Sequence, residues 1–262
     1  MKYMLRTGMA SLFLVIVAVG TCRAQTKAAA PAIDPQAEKI MRAMNAEKQK
    51  DIRANLEVVD TMDVVAETGQ KIQYCHVRKL VVSEPKRFWI ESTGDITNTT
   101  MWKDDATLTL LDRSANAYAQ TAAPGTIDET MDMLLDTYGV TTPLADLLSN
   151  DLYDVLMKNV KMCRYLGLHY ADGVKCQHIA ATQQDIDWQI WIDTGDTPRL
   201  HKFIITYKRK PGAPQYTAVL KSFNAVSQLP GDTFTFRPPE GARKIPFIPV
   251  QKPAKKVSAK EQ

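Results

Sequence analysis

Two long stretches of this chain repeat with a period of two, the mark of strands that turn one face to a core and the other to water. In the first, Leu56, Val58, Met62 and Val64 share one parity, while Glu57, Thr61 and Asp63 take the other. Further strand-like runs over 71–82, 86–92, 97–103, 107–111 and 117–121 are separated by Glu84-Pro85, Thr93-Gly94 and Asp104-Asp105. After Asn159 the pattern resumes with Leu166, Leu168 and Tyr170, which run into Asp172-Gly173, the strongest short hairpin signal in the chain. The return strand carries 179–182, and runs over 187–193, 200–208, 216–226 and 233–237 follow, each bounded by Gly or Pro. Some eleven short strands, roughly, with polar turns describe an antiparallel meander that curves into a partly closed barrel.

Helical spacing occurs in two places. Asp34 is placed to cap a helix in which Ile40, Met41, Met44 and Ile52 recur along one side. Between Arg113 and Lys158 there is no Lys or Arg, while Asp128, Glu129, Asp132, Asp136, Asp146, Asp151 and Asp154 all occur. Within this acidic insert Ile127, Met131, Leu134, Leu135 and Tyr138 fall at helical spacing up to Gly139, and 143–157 repeats the pattern with Leu144, Leu147, Leu148, Leu152, Val155 and Leu156. The insert is expected to lie across the sheet as amphipathic helices, a cap or a lid.

The opening residues set the compartment. Lys2 and Arg6 precede a short apolar run over 9–20, followed at once by Thr21, Arg23 and Gln25. The run is shorter than the roughly 20 residues that span a bilayer, so it reads as a cleavable signal peptide over 1–24 with Ala24 before the cut. Cys22 after Val19-Gly20-Thr21 offers a lipoprotein anchor as the alternative, which the bulk of Thr21 disfavours. Net charge falls from +4 to +1 on cleavage, because Lys2, Arg6 and Arg23 leave with no acid. Near-neutrality argues against a polyanionic partner, so no nucleic acid is expected. Residues 25–37 read as a spacer and 246–262 as a disordered basic tail.

Cys75, Cys163 and Cys176 remain after cleavage, an odd number that allows one bridge at most, so the fold must rest on its hydrophobic core. No Gly-rich phosphate loop, nucleophile elbow or HExxH pattern is present. The histidines at 76, 169, 178 and 201 are scattered, and most aspartates sit at turns or helix starts. The chain is therefore read as a non-enzyme that needs no cofactor.

The runs Tyr165-Leu166-Gly167, Asp172-Gly173-Val174-Lys175-Cys176-Gln177-His178, Asp187-Trp188-Gln189-Ile190-Trp191-Ile192, Pro198-Arg199 and Phe234-Thr235-Phe236-Arg237-Pro238-Pro239-Glu240-Gly241-Ala242 carry a resemblance. They resemble a family of predicted periplasmic bacterial proteins of unknown function, itself similar to the lipoprotein-localisation factors LolA and LolB and to mycobacterial lipoprotein lipid carriers. The resemblance implies a single LolA-like domain over 38–245, an α+β fold in which a half-open antiparallel barrel is covered by an N-terminal helix and an inserted helical lid. It also implies an apolar cavity that accepts acyl chains, and it brings no catalytic residues with it.

If Asp172 and Gly173 form a two-residue turn, residues whose numbers sum to 345 oppose each other. His169 then faces Cys176, with His178 two further on the same side, and three potential metal ligands share a face. No fourth ligand is evident and His178 lies opposite Gly167, so these are read as outer-face polar residues and no metal site is assigned. The same register sets Cys163 opposite Thr182, about 20 Å from Cys176 and beyond disulfide reach. On the other face, Leu166, Leu168, Tyr170, Ile179 and Ala181 join comparable apolar sets at Phe88 and Ile90, Leu108 and Leu110, Trp188, Ile190 and Ile192, and Phe203, Ile205 and Tyr207.

These observations lead to a periplasmic binding or carrier protein whose wall is built by Phe88, Ile90, Leu110, Trp188, Ile190, Phe203 and Ile205, with Leu134 and Leu135 closing over it. The expected partner is an apolar small molecule, lipid or lipoprotein acyl chain met by a monomer, with transient contact at a membrane surface. The alternative is a structural or interaction protein of the cell envelope whose cavity is filled by its own helices. Mature protein is predicted to begin at Gln25, which intact mass decides; an acylated species starting at Cys22 would contradict it.

Overall fold

A computed structural model describes residues 32–48, 53–123, 125–140, 149 and 151–249. The chain opens with helix α1 (Pro35–Lys48) and continues into strands β1 (Arg53–Val65), β2 (Lys71–Ser83), β3 (Arg87–Gly94), β4 (Asn98–Lys103), β5 (Thr107–Asp112) and β6 (Ala117–Ala122). Helices α2 (Ile127–Tyr138) and α3 (Leu152–Met157) follow. Strands β7 (Met162–Ala171), β8 (Val174–Thr182), β9 (Ile186–Asp193), β10 (Leu200–Tyr207), β11 (Gln215–Ala225) and β12 (Arg243–Ile245) complete it.

All twelve strands join one sheet in the order β12-β6-β5-β4-β3-β2-β1-β11-β10-β9-β8-β7. Because β12 and β7 are both edges, the sheet is open. Every pairing is antiparallel except β12 with β6. The two meanders that the sequence pattern shows are thus zipped together through β1 and β11, which pair from Ala54 with Ala225 to Met62 with Tyr216.

An open sheet has one face to bury, and the helices cover it. Asp34 accepts a hydrogen bond from the Gln36 amide at 2.8 Å and starts α1, whose Ala37, Ile40, Met41 and Met44 are buried. They pack in one core with Val58, Leu80, Phe88, Ile179, Ile190 and Phe203 from the sheet. A capping box between Thr126 and Glu129 starts α2, and Gly139 ends it in the left-handed region at φ 64°. The Ile127 amide also donates to the Pro85 carbonyl at 2.8 Å, which pins the helix start to the β2–β3 turn. Among the described residues no helix is long and apolar enough to cross a membrane.

Several expectations need correction. The run over 233–237 is no strand: the Thr233 amide bonds back to Pro230 and that of Thr235 to Asp232, which makes turns. Its alternation has another cause, since Phe234 is buried and the Phe236 ring packs at a tilt against Trp102 and Tyr118, with centroids 5.0 and 4.9 Å away. The twelfth strand is instead the short β12, too brief for a periodic signal. The β7–β8 hairpin has the 345 register from Ala171 with Val174 to Gly167 with His178, but a bulge at Leu166 then shifts it, so Cys163 faces Ala181 and not Thr182. Cys75, Cys163 and Cys176 are all free thiols. Leu166, Leu168 and Tyr170 are exposed, because β7 is the free edge of the sheet. The expected helix over 143–157 is described only as α3, and Ile52, the signal segment and the basic tail lie outside the described residues.

Gly94 sits where β3 meets His76 of β2, and a Cβ there would run into the Cys75 carbonyl oxygen and approach the His76 Cα at 2.7 Å. Gly94→Ala is predicted to cost about 1–3 kcal/mol in urea unfolding, the range for overpacking. Gly195→Ala, which meets nothing within 4 Å, should change stability by no more than about 0.5 kcal/mol. Equal effects would contradict the close approach.

Candidate functional site

Bulges interrupt the two ladders that flank the β10–β11 pair, at the same end of the sheet. Between β1 and β11 the register slips at Glu57/Val58, leaving Lys221 extra, and between β9 and β10 it slips at Leu200/Lys202, leaving His201 extra. Bulges bend and twist the strands that carry them. Beneath this bent end lies a cavity of ≈ 110 Å³ walled by Met44 of α1, Leu56 and Val58 of β1, Leu80 of β2, Phe203 of β10 and Leu220 of β11. Its lining is mostly hydrocarbon, and the charged members answer one another. Lys48 pairs with Glu84, and Arg199 lies 3.7 Å from Glu47 with its guanidinium 4.3 Å from the centre of the Phe223 ring. His201 also lines the cavity.

Of the nine residues that the sequence pattern puts on a binding wall, Phe203 alone lines this cavity. Phe88, Trp188, Ile190, Ile205 and Leu134 are buried in the filled core, and Ile90 packs half-buried against it. Leu110 is half-buried opposite Met101 on β4. Leu135 is 51 % exposed, since a helix advances about 100° per residue and only Leu134 of the pair can face inward. The cavity belongs to the central strands. Their signal was the shared parity of Leu56 and Val58, which the pattern shows but does not distinguish from ordinary core.

The inner face also carries a buried polar cluster that sequence reasoning missed. Asp60 is fully buried and accepts two hydrogen bonds from Arg78, at 2.6 and 3.2 Å. Its Oδ2 also lies 3.1 Å from Nδ1 of the buried His76. Arg78 donates onward to Ser92 at 3.0 Å. Burial alone would lower the Arg78 pKa, but the hydrogen bonds and charge of Asp60 outweigh it and hold the guanidinium above its ordinary value. Burial, with the Asp60 charge beside it, pushes the Tyr216 phenol up. The available signal was parity: Asp60 shares the apolar side of β1 with Val58 and Met62, and His76 and Arg78 share that of β2 with Leu80. These charged residues stand on inward positions and answer one another across strands.

On the outer face the hairpin brings His169 and His178 together, with their Nδ1 atoms 2.9 Å apart. The His178 ring stacks on Trp191 at 4.0 Å, and its Nε2 meets the Gln189 side chain at 3.2 Å. Burial holds the His178 pKa below its ordinary value. Cys176 does not complete a triad with them; its potential ligand neighbours are Asp193 and His201. Burial pushes both the Cys163 and the Cys176 thiols up to about 11, so neither is a nucleophile at neutral pH.

A family model described as "Predicted periplasmic protein (DUF2092)" matches residues 37–248. No curated protein matches the sequence. Among solved structures, the chain is similar to an uncharacterised conserved protein from Thermus thermophilus, at 11 % identity and a TM-score of 0.47, with 80 % of this chain and 99 % of that one covered. It is similar to LprF from Mycobacterium bovis, at 11 % identity and a TM-score of 0.46, with 77 % and 99 % covered. It is also similar to a LolA superfamily protein from Nitrosomonas europaea, at 11 % identity and a TM-score of 0.36, with 76 % and 97 % covered.

Removing the charge of Asp60 would leave the buried Arg78 guanidinium without its counter-ion. Asp60→Asn is predicted to destabilise the protein by about 3–5 kcal/mol in urea unfolding, the usual cost of breaking a buried pair from one side. A loss below about 1 kcal/mol would show that water reaches the cluster.

Proposed function

The chain belongs to the DUF2092 family of predicted periplasmic proteins, and on that premise we propose that it is a periplasmic carrier or binding protein that takes up an acyl chain or similar apolar group. In this reading residues 1–24 direct export and are removed, residues 38–245 act as one domain, and the protein works as a monomer without catalysis or nucleic acid. The observation that carries the proposal is the cavity, with a lining made mostly of aliphatic and aromatic side chains. The binding wall moves accordingly from the filled core around Ile190 to Leu56, Val58, Leu80, Phe203 and Leu220.

Size limits the occupant. At ≈ 110 Å³ the cavity is comparable with the ~150 Å³ apolar void that holds benzene and smaller than the roughly 300–1,000 Å³ of a drug-sized site. It suits the end of an acyl chain rather than a whole lipid. A segment of about five methylenes contributes roughly 4 kcal/mol, which alone corresponds to millimolar affinity. Tighter binding therefore needs the rest of the molecule to lie outside the cavity, within reach of Arg199 and Lys48, and a transient approach to a membrane surface would let the chain pass in.

Leu220 lines the cavity but is only half-buried, so a charge there need not unfold the protein. Leu220→Asp is predicted to reduce uptake of a fluorescent fatty acid at least tenfold, while Asn55→Asp, at an exposed position of β1, leaves it unchanged. Absence of uptake by folded wild-type protein, or equal uptake by both variants, would replace the carrier with an envelope protein whose helices simply fill its core.

A further inference from the structure

We propose that Cys176, Asp193 and His201 form a zinc site at the hairpin end of the sheet. The three residues come from three adjacent strands. Cys176 of β8 is the direct cross-strand partner of Asp193 at the end of β9, and His201 is the extra residue at the β10 bulge next to it. One ligand atom from each, Sγ, a carboxylate oxygen and an imidazole nitrogen, lies within 4.8 Å of the other two. A regular ladder at β10 would give alternate residues to opposite faces; the bulge re-aims His201 toward its neighbours.

The surroundings leave these atoms free to converge on a cation. Nδ1 of His201 stands 3.5 Å from Asp193, and its Nε2 is buried with no hydrogen-bond partner. The thiol of the fully buried Cys176 donates a weak hydrogen bond, 3.6 Å, to the Val174 carbonyl. Asp193 is 38 % exposed and gives an ion a way in from solvent. A thiolate, an imidazole and a carboxylate suit zinc better than magnesium or calcium, which prefer oxygen. Three protein ligands leave one tetrahedral position for water. His178 is not among them, because both its ring nitrogens are engaged, by His169 and Gln189. His201 also lines the cavity, although the site does not depend on what the cavity holds.

Mature protein stripped of metal by chelation is titrated with Zn²⁺ against a chromophoric indicator and, separately, loaded with Co²⁺. The expected result is one equivalent per chain, and in the cobalt form a thiolate-to-metal charge-transfer band. Cys176→Ser should abolish that band and weaken zinc at least tenfold, with His201→Gln and Asp193→Asn weakening it by about ten- to a hundredfold. Cys75→Ser, which removes the exposed thiol, and His178→Gln should leave stoichiometry, affinity and band unchanged. If Cys176→Ser fails to fold by circular dichroism, His201→Gln and Asp193→Asn decide, as both positions are only partly buried. Binding below one equivalent, a band that disappears with Cys75→Ser, or wild-type affinity in the ligand variants would overturn the site. None of these readouts involves fatty-acid uptake, so the site and the carrier reading stand or fall separately.

Discussion

A single open sheet with one apolar face must be covered by something other than a second sheet, and here that burden falls on α1. The helix offers a narrow stripe, Ala37, Ile40, Met41 and Met44, in which the small alanine and the two flexible methionines fit a bent strand surface. Specific polar contacts hold it at both ends. Asp34 bonds to the Cys163 carbonyl through its amide and to the Tyr165 amide through its side chain, while Glu47 and Lys48 reach Arg199 and Glu84. Asn45 also accepts from the Tyr153 amide at 2.9 Å and ties in α3. The cavity lies between the C-terminal part of α1 and the bent ends of β1, β2, β10 and β11, so its dimensions depend on how firmly the helix is held.

The inner face is largely apolar but carries a buried ion-paired cluster. Asp60, His76, Arg78 and Ser92 join three neighbouring strands through side chains, and each bond requires one register. A slip of one residue would send every member to the other face and leave charges unpaired. Buried ion pairs are weak sources of stability but strong penalties against alternatives. This cluster therefore fixes the mutual register of β1, β2 and β3 within the first meander.

Period-two patterning and turn chemistry made eleven of the twelve strands, both meanders, the two longer helices and the upper part of the β7–β8 hairpin legible in the sequence. What escaped it were local departures from regularity. Bulges at Leu166, His201 and Lys221 add one residue without a distinctive signature, and each changes which side chains meet. The bulge at His201 brings that residue to Cys176 and Asp193, a grouping that regular alternation does not show. The lining of the cavity was inseparable from the core for a related reason. Alternation identifies inward residues such as Ile190 and Leu56 equally well, and only the helix position shows that the first is packed and the second borders open space. At 233–237 alternation was real but served two aromatic rings, one buried and one packed at a tilt against Trp102 and Tyr118.

A carrier must satisfy one demand that needs neither a chosen probe nor a variant: protein taken gently from its native envelope should carry its ligand. Native mass spectrometry followed by extraction and lipid analysis tests it directly. The expected result is a substoichiometric to equimolar amount of a specific acyl-bearing species, displaced on incubation with excess fatty acid. Protein that leaves the cell with no apolar species, and takes none up afterward while folded, would contradict the claim that this cavity is a binding site.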